Sequence, residues 1–82
     1  MGVDLILKGK VKSNLGNILD ARGLRYNWVA KQIEATPSQV TNWCKNEEDG
    51  TAKSTPSVLY ILKLQNLLGV KVEEMYELIE EE

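Results

Sequence analysis

Two side-chain amides three residues apart, Gln39 and Asn42, form the most chemically informative pair in this chain. On a helix that spacing places both on one side. Each carboxamide presents a donor and an acceptor in fixed geometry, the pattern that matches N6 and N7 of adenine. Ser38 adds a less discriminating hydroxyl, and Pro37 an apolar surface suited to a thymine methyl group. Other chemistry is harder to assemble. The chain has no histidine to serve as general base and one cysteine, Cys44, so it holds no internal disulfide and no zinc ligand set. No phosphate-binding loop is present. These absences point away from an enzyme and from any metal or other cofactor.

The elements that must position these side chains lie between Arg25 and Asn46. Val29, Ala30 and Ile33 recur on one face of a short helix over 26–33. Thr36 is a capping residue and Pro37 suits the first helical position, where a missing N–H costs nothing, so a second helix is expected over 37–45. Val40 and Trp43 then face inward, leaving Ser38, Gln39 and Asn42 outward with Thr41 and Lys45 at the margins. Only Glu34 and Ala35 turn the chain between the helices, so they should cross steeply, as in a helix-turn-helix. Upstream, Leu15, Ile18 and Leu19 make the apolar face of a helix over 14–22, opened by Ser13 and ended by Gly23 as a left-handed residue. Gly16 weakens that helix, so packing must hold it. Downstream, 46–55 is a loop by composition and Pro56 opens a helix to Leu68, with Val58, Ile61, Leu62, Leu64 and Leu68 as its expected core. Leu59, Tyr60 and Leu67 are left over, so something else should cover part of that helix. Val72, Met75, Tyr76 and Ile79 repeat at i, i+3, i+4 and i+7, which predicts a last helix over 73–80. Glu80, Glu81 and Glu82 are badly placed for its dipole, so its end should fray.

This arrangement resembles the helix-turn-helix of the Cro and phage-repressor (XRE-like) family. The small Ala30, the core pair Val29 and Ile33, the cap Thr36, the inward Val40 and Trp43, and the later Pro56-Ser57-Val58 and Leu68-Gly69-Val70 carry the resemblance, which covers residues 13–76. It implies an all-α, compact five-helix lambda-repressor-like DNA-binding domain over 13–82, preceded by an N-terminal extended arm or short strand over 1–12. It further implies a cytoplasmic transcription regulator, a repressor of phage or bacterial type, that binds double-stranded DNA as a homodimer. Helix 37–45 would then enter the major groove, with Pro37, Ser38, Gln39 and Asn42 on base edges. Phosphates would be met by Tyr26, Asn27, Thr41, Lys45, Asn46, Lys53, Ser54, Thr55 and Ser57. In related proteins the last region forms the two-fold contact, which here implicates Leu59, Leu67, Met75, Tyr76, Leu78 and Ile79.

Five positions depart from the family pattern. Where many relatives pair an arginine with a glutamate, this chain has Leu19 and Cys44, an apolar pair that replaces a buried ion pair at little cost and makes Cys44 a packing residue. The turn commonly uses glycine where Glu34 stands, and Tyr26 replaces a frequent glutamine. Trp28 occupies a usually exposed polar position, either as an interface residue or folded onto a neighbouring helix.

Charge distribution divides the chain. The net charge is −2, but residues 1–46 hold seven Lys and Arg against three acids, a net of +4, while 47–82 hold three against nine, a net of −6. Local field, not total charge, meets a phosphate backbone, and the half carrying the helix pair is the basic one. At 82 residues, 43% hydrophobic and 27% charged, the chain reads as one ordinary globular domain. The apolar run Val3–Leu7 is too short to span a membrane. From Val3 to Lys12 apolar and charged residues weakly alternate, which admits a short strand paired with a second subunit, a basic arm along DNA, or a partly ordered terminus. The acidic total and Glu47-Glu48-Asp49 favour an alternative function on the same fold, a protein-interaction module that binds another repressor or a toxin through Tyr26, Trp28 and the acidic loop.

Overall fold

The computed structural model describes residues 10–79. Strand β1 (Lys10–Ser13) leads into α1 (Leu15–Ala21), α2 (Tyr26–Ile33), α3 (Pro37–Cys44), α4 (Val58–Leu68), the single-turn α5 (Val72–Met75) and strand β2 (Tyr76–Ile79). The protein is a mostly helical domain with a two-stranded antiparallel sheet, not an all-α one.

The sheet corrects two expectations. The helix expected over 73–80 stops at Met75, and Tyr76 turns extended at φ −135°, ψ 134°. Tyr76 to Ile79 then pairs with β1 in the register Ser13↔Tyr76, Lys12↔Glu77, Val11↔Leu78 and Lys10↔Ile79. The strand option for residues 10–12 holds, but the partner is the chain's own C-terminal segment rather than a second subunit; the expectations for residues 3–9 lie outside the described residues. A continued helix would have left the backbone groups of β1 along this edge without partners, which a ladder supplies. A hydrogen bond from Asn14 N–H to the Met75 carbonyl (2.7 Å) ties the ribbon to both flanking helices.

Helix ends follow local chemistry. Gly23 and Gly69 take left-handed φ values of 68° and 69° at the ends of α1 and α4. Glu34 is the one non-glycine residue with positive φ (63°) among those described, and it turns α2 into α3. Its side chain meets Lys63 Nζ at 3.3 Å and its carbonyl accepts from Tyr60 Oη at 3.2 Å. Ser13 belongs to β1 rather than capping α1; Asn14 holds the cap position, though Ser13 Oγ still accepts the Leu15 N–H (3.3 Å).

Leu15, Leu19, Val29, Ala30, Ile33, Val40, Trp43, Leu64, Leu68, Val70, Met75 and Tyr76 form one core. Gly16 is explained by this packing. A Cβ there would lie 3.3 Å from both the Cβ and the carbonyl oxygen of Cys44, so α1 approaches the end of α3 through a missing side chain. Val58 and Leu62, expected in the core, are exposed instead.

At the end of α3, Ser13 Oγ and Tyr76 Oη both donate to the Trp43 carbonyl, at 2.6 and 2.9 Å. Ser13→Ala and Tyr76→Phe should each lower unfolding free energy by about 1–2 kcal/mol, and the double variant by about 3 kcal/mol, because a buried carbonyl then loses every donor. Urea denaturation measures this. Glu34→Gly should be neutral to stabilising, by up to about 1 kcal/mol, in the same assay, since it relieves the left-handed backbone at the loss of one exposed ion pair.

Candidate nucleic-acid interface

Helix α3 is built to present one face. At its start Thr36 is extended, its Oγ1 accepts the Gln39 N–H (3.1 Å), and Gln39 Oε1 accepts the Thr36 N–H (2.9 Å). This reciprocal capping box satisfies two amides that the helix itself cannot. Val40 and Trp43 are buried beneath, and Trp43 lies against Tyr60 of α4 with ring centroids 5.1 Å apart. Pro37 and Ser38 are exposed, and Gln39, Thr41 and Asn42 are half-buried.

The four expected base-edge residues therefore sit together on one short helix, but they are not equivalent. Gln39 has its carbonyl oxygen committed to the cap, where Thr36 Oγ1 also approaches it at 3.3 Å. Its NH2 group is the part left for another molecule. The Asn42 side chain has no hydrogen-bond partner among the described residues, so its whole donor–acceptor pair is available.

The expected phosphate set is split. Tyr26 and Asn46 are held by the domain itself. The Tyr26 hydroxyl lies at the contact between α1 and α3, where a Cβ at Gly16 would sit 3.3 Å from it. Burial first, then Cys44, pushes its pKa up to about 12. Asn46 acts as a surrogate strand: its Oδ1 accepts the Ser13 N–H (2.8 Å) and its Nδ2 donates to the Ser13 carbonyl (3.0 Å). Asn27, Lys45, Lys53, Ser54, Thr55 and Ser57 stay exposed. Lys53 N–H donates to the Lys45 carbonyl (3.0 Å), which brings two lysines from opposite ends of the loop side by side at the end of α3. That pairing has no sequence signal beyond the loop's length.

The acidic loop is partly neutralised. Asp49 accepts from Thr51 Oγ1 (2.6 Å) and Thr51 N–H (3.0 Å) and stands 3.7 Å from Lys10 Nζ. These hydrogen bonds, with Lys10 adding a smaller effect, hold its carboxyl below the usual range. Of the expected two-fold contact, Met75 and Tyr76 are buried in the core and so are corrected; Leu67 and Ile79 are half-buried, and Leu59 and Leu78 are exposed. Trp28 is exposed, not folded down. Among the described residues no group of His, Cys, Asp or Glu could hold a metal ion, and no helix is long and apolar enough to cross a membrane.

No protein-family model matches the chain, and no curated protein matches it. Its fold is shared with a solved structure, the crystal structure of a "putative DNA-binding protein" from Bacteroides fragilis, at a TM-score of 0.67 and 21% identity. The match covers 82% of this chain and 98% of that one.

Burial pushes the Cys44 thiol from an ordinary 9 up to about 11, with the Tyr26 hydrogen bond partly opposing the rise. At pH 8 the native thiolate should be about 100-fold scarcer than in the unfolded chain, so a disulfide reagent should modify Cys44 at least that much more slowly in buffer than in urea. Stability follows the same sign. Unfolded Cys44 loses its proton above about pH 9 while the folded thiol keeps it to about 11, so unfolding releases a proton in that window. The contribution is complete below pH 9 and is lost as pH rises through 11, with Tyr26 extending the decline toward 12. Urea midpoints should be flat from neutral pH to about 9 and fall beyond it, less steeply in Cys44→Ala.

Proposed function

We propose that this protein is a sequence-specific double-stranded DNA-binding regulator of the XRE-like, phage-repressor type, acting in the cytoplasm as a homodimer. The observation that carries this reading is α3, capped at one end, tied to the sheet at the other, with Pro37 and Ser38 exposed and Gln39 and Asn42 half-buried along it. The shared fold with a protein described as DNA-binding is consistent with it. Asn42 is the principal base reader, a bidentate partner for adenine, and the Gln39 NH2 group donates beside it. Lys45, Lys53, Asn27 and the hydroxyls of Ser54, Thr55 and Ser57 hold the phosphates on either side. A dimer would place two α3 helices in successive major grooves, roughly 34 Å apart. Regulation would act by occupancy, with no enzymatic step, metal or cofactor.

A second reading, a protein-interaction module on the same fold, is favoured by exposed Trp28 and by Glu47 and Glu48, which are exposed beside α3.

Selection of random duplexes on the purified protein at near-physiological salt separates the two. A two-fold motif should emerge, and Asn42→Ala should weaken binding to it by roughly 5- to 150-fold while relaxing one base position, the 1–3 kcal/mol of a bidentate contact. Gln39→Glu keeps the capping acceptor and removes the outward donor, so affinity should fall with no loss of thermal stability. No enriched motif, with only weak salt-sensitive retention, would transfer the function to the protein-interaction reading.

A further inference from the structure

We infer, on the basis of the proposed DNA-binding role, that Gln39 is a donor-only base reader, so that the selected duplex carries guanine rather than adenine next to the base read by Asn42. A glutamine side chain ordinarily offers a base one donor and one acceptor together. In this protein the capping box removes the acceptor.

The hydrogen bonds at the start of α3 fix the direction of the carboxamide. Only an acceptor can face the Thr36 N–H, so the atom 2.9 Å from it is Oε1 and not Nε2. The Thr36 hydroxyl donates to the same oxygen at 3.3 Å and accepts the Gln39 N–H at 3.1 Å. Two donors from one residue therefore occupy the two lone pairs of Oε1. Nε2 lies on the other side of the carboxamide. It has no hydrogen-bond partner among the described residues and is not buried. Turning Oε1 toward a base would open the capping box and strip the Thr36 N–H of its acceptor. What Gln39 shows to another molecule is a pair of N–H groups.

The four bases sort against that pair. In the major groove guanine presents two acceptors, N7 and O6, and thymine presents O4 beside its methyl group. Adenine sets the N6 amine beside N7, and Gln39 has no acceptor left to receive it. Cytosine presents a donor, so N–H meets N–H. Guanine is the best match, thymine the second, and adenine and cytosine are disfavoured. Asn42 differs: neither polar atom of its side chain has a partner among the described residues, and neither is buried, so it keeps the donor–acceptor pair that fits adenine. Three residues advance a helix by about 4.5 Å, close to the roughly 3.4 Å between stacked bases, so the two side chains fall on neighbouring pairs.

Duplex selection on wild type, Gln39→Glu and Asn42→Ala, with thermal denaturation of each, tests the assignment. Wild type should enrich guanine at one of two adjacent positions and adenine at the other. In Gln39→Glu one carboxylate oxygen keeps the bond from the Thr36 N–H and the other turns outward as an acceptor. The guanine should then give way to cytosine, whose amine a carboxylate accepts, and affinity for the original duplex should fall by roughly five-fold or more at an unchanged melting temperature. Asn42→Ala should relax the adenine and leave the guanine. Adenine at the position that responds to Gln39→Glu, or a guanine that survives that change, overturns the inference and leaves the DNA-binding role intact. A fall in affinity with no change of base preference assigns Gln39 to a phosphate and overturns it equally. A wild type that enriches no motif removes the DNA-binding role itself, and this assignment with it.

Discussion

The carbonyl of Trp43 is the point at which the two halves of this domain meet. It lies in the last turn of α3, where no later amide of the helix can reach it. Two hydroxyls from opposite ends of the chain, on Ser13 and Tyr76, converge on it. Those two residues face each other in the β-ladder, so the sheet and the helix end lock one another. Without the ribbon a buried carbonyl would be orphaned; without the carbonyl, two hydroxyls would be buried with less to bond. Each arrangement therefore supports the other, since the carbonyl and both hydroxyls are buried.

The same corner gathers the loop after α3. The Asn46 amide closes on both backbone groups of Ser13, and Ala52 N–H donates to the Val11 carbonyl (2.7 Å), so a side chain and one loop residue complete the free edge of β1. The loop is thereby drawn back beneath α3, and Lys53 arrives beside Lys45. Combined with the Thr36–Gln39 box at the opposite end, both ends of α3 are determined by hydrogen bonds, and of its outward face these take up only the Gln39 carbonyl oxygen. A helix of eight residues has little intrinsic stability; this one is held as a rigid plate by its surroundings.

Most features with a local cause were legible in the sequence, but Ser13 and Pro56, expected to open α1 and α4, both lie outside those helices, which begin after Asn14 and Ser57. Thr36, Pro37, Gly23 and Gly69 act on their own few residues, and each stands at the helix boundary its chemistry predicts. The ribbon was not legible to the same degree. Val72, Met75, Tyr76 and Ile79 fit a helical period, and only the presence of β1, more than sixty positions earlier, makes the extended form win from Tyr76 onward. Val58 and Leu62 mislead for the opposite reason: they carry core-like side chains, but none of the described elements covers that side of α4. Tyr26 and Asn46 suit phosphate by type; what engages their side chains within the domain is the gap left by Gly16 and the edge at Ser13, neither visible in their own neighbourhoods.

The division of the chain into a basic and an acidic half acquires a different meaning once the elements are placed. Much of it is internal complementarity. Lys12 faces Glu77 across the ribbon, Lys10 meets Asp49, Lys63 meets Glu34, and Arg22 donates to the Leu68 carbonyl at the end of α4. Among the described residues, the cations gathered at the end of α3 outside such pairings are Lys45 and Lys53. Two lysines at that end supply only a small part of the counterion release that phosphate binding can draw on. On the proposed function, neutral donors must carry the difference: hydroxyls at Ser54, Thr55 and Ser57, the amides of Asn27 and Asn42, and the backbone. Such groups bond only at correct distance and angle, so a protein that relies on them needs a rigid frame more than a strong field. The clamp on Trp43 supplies that frame.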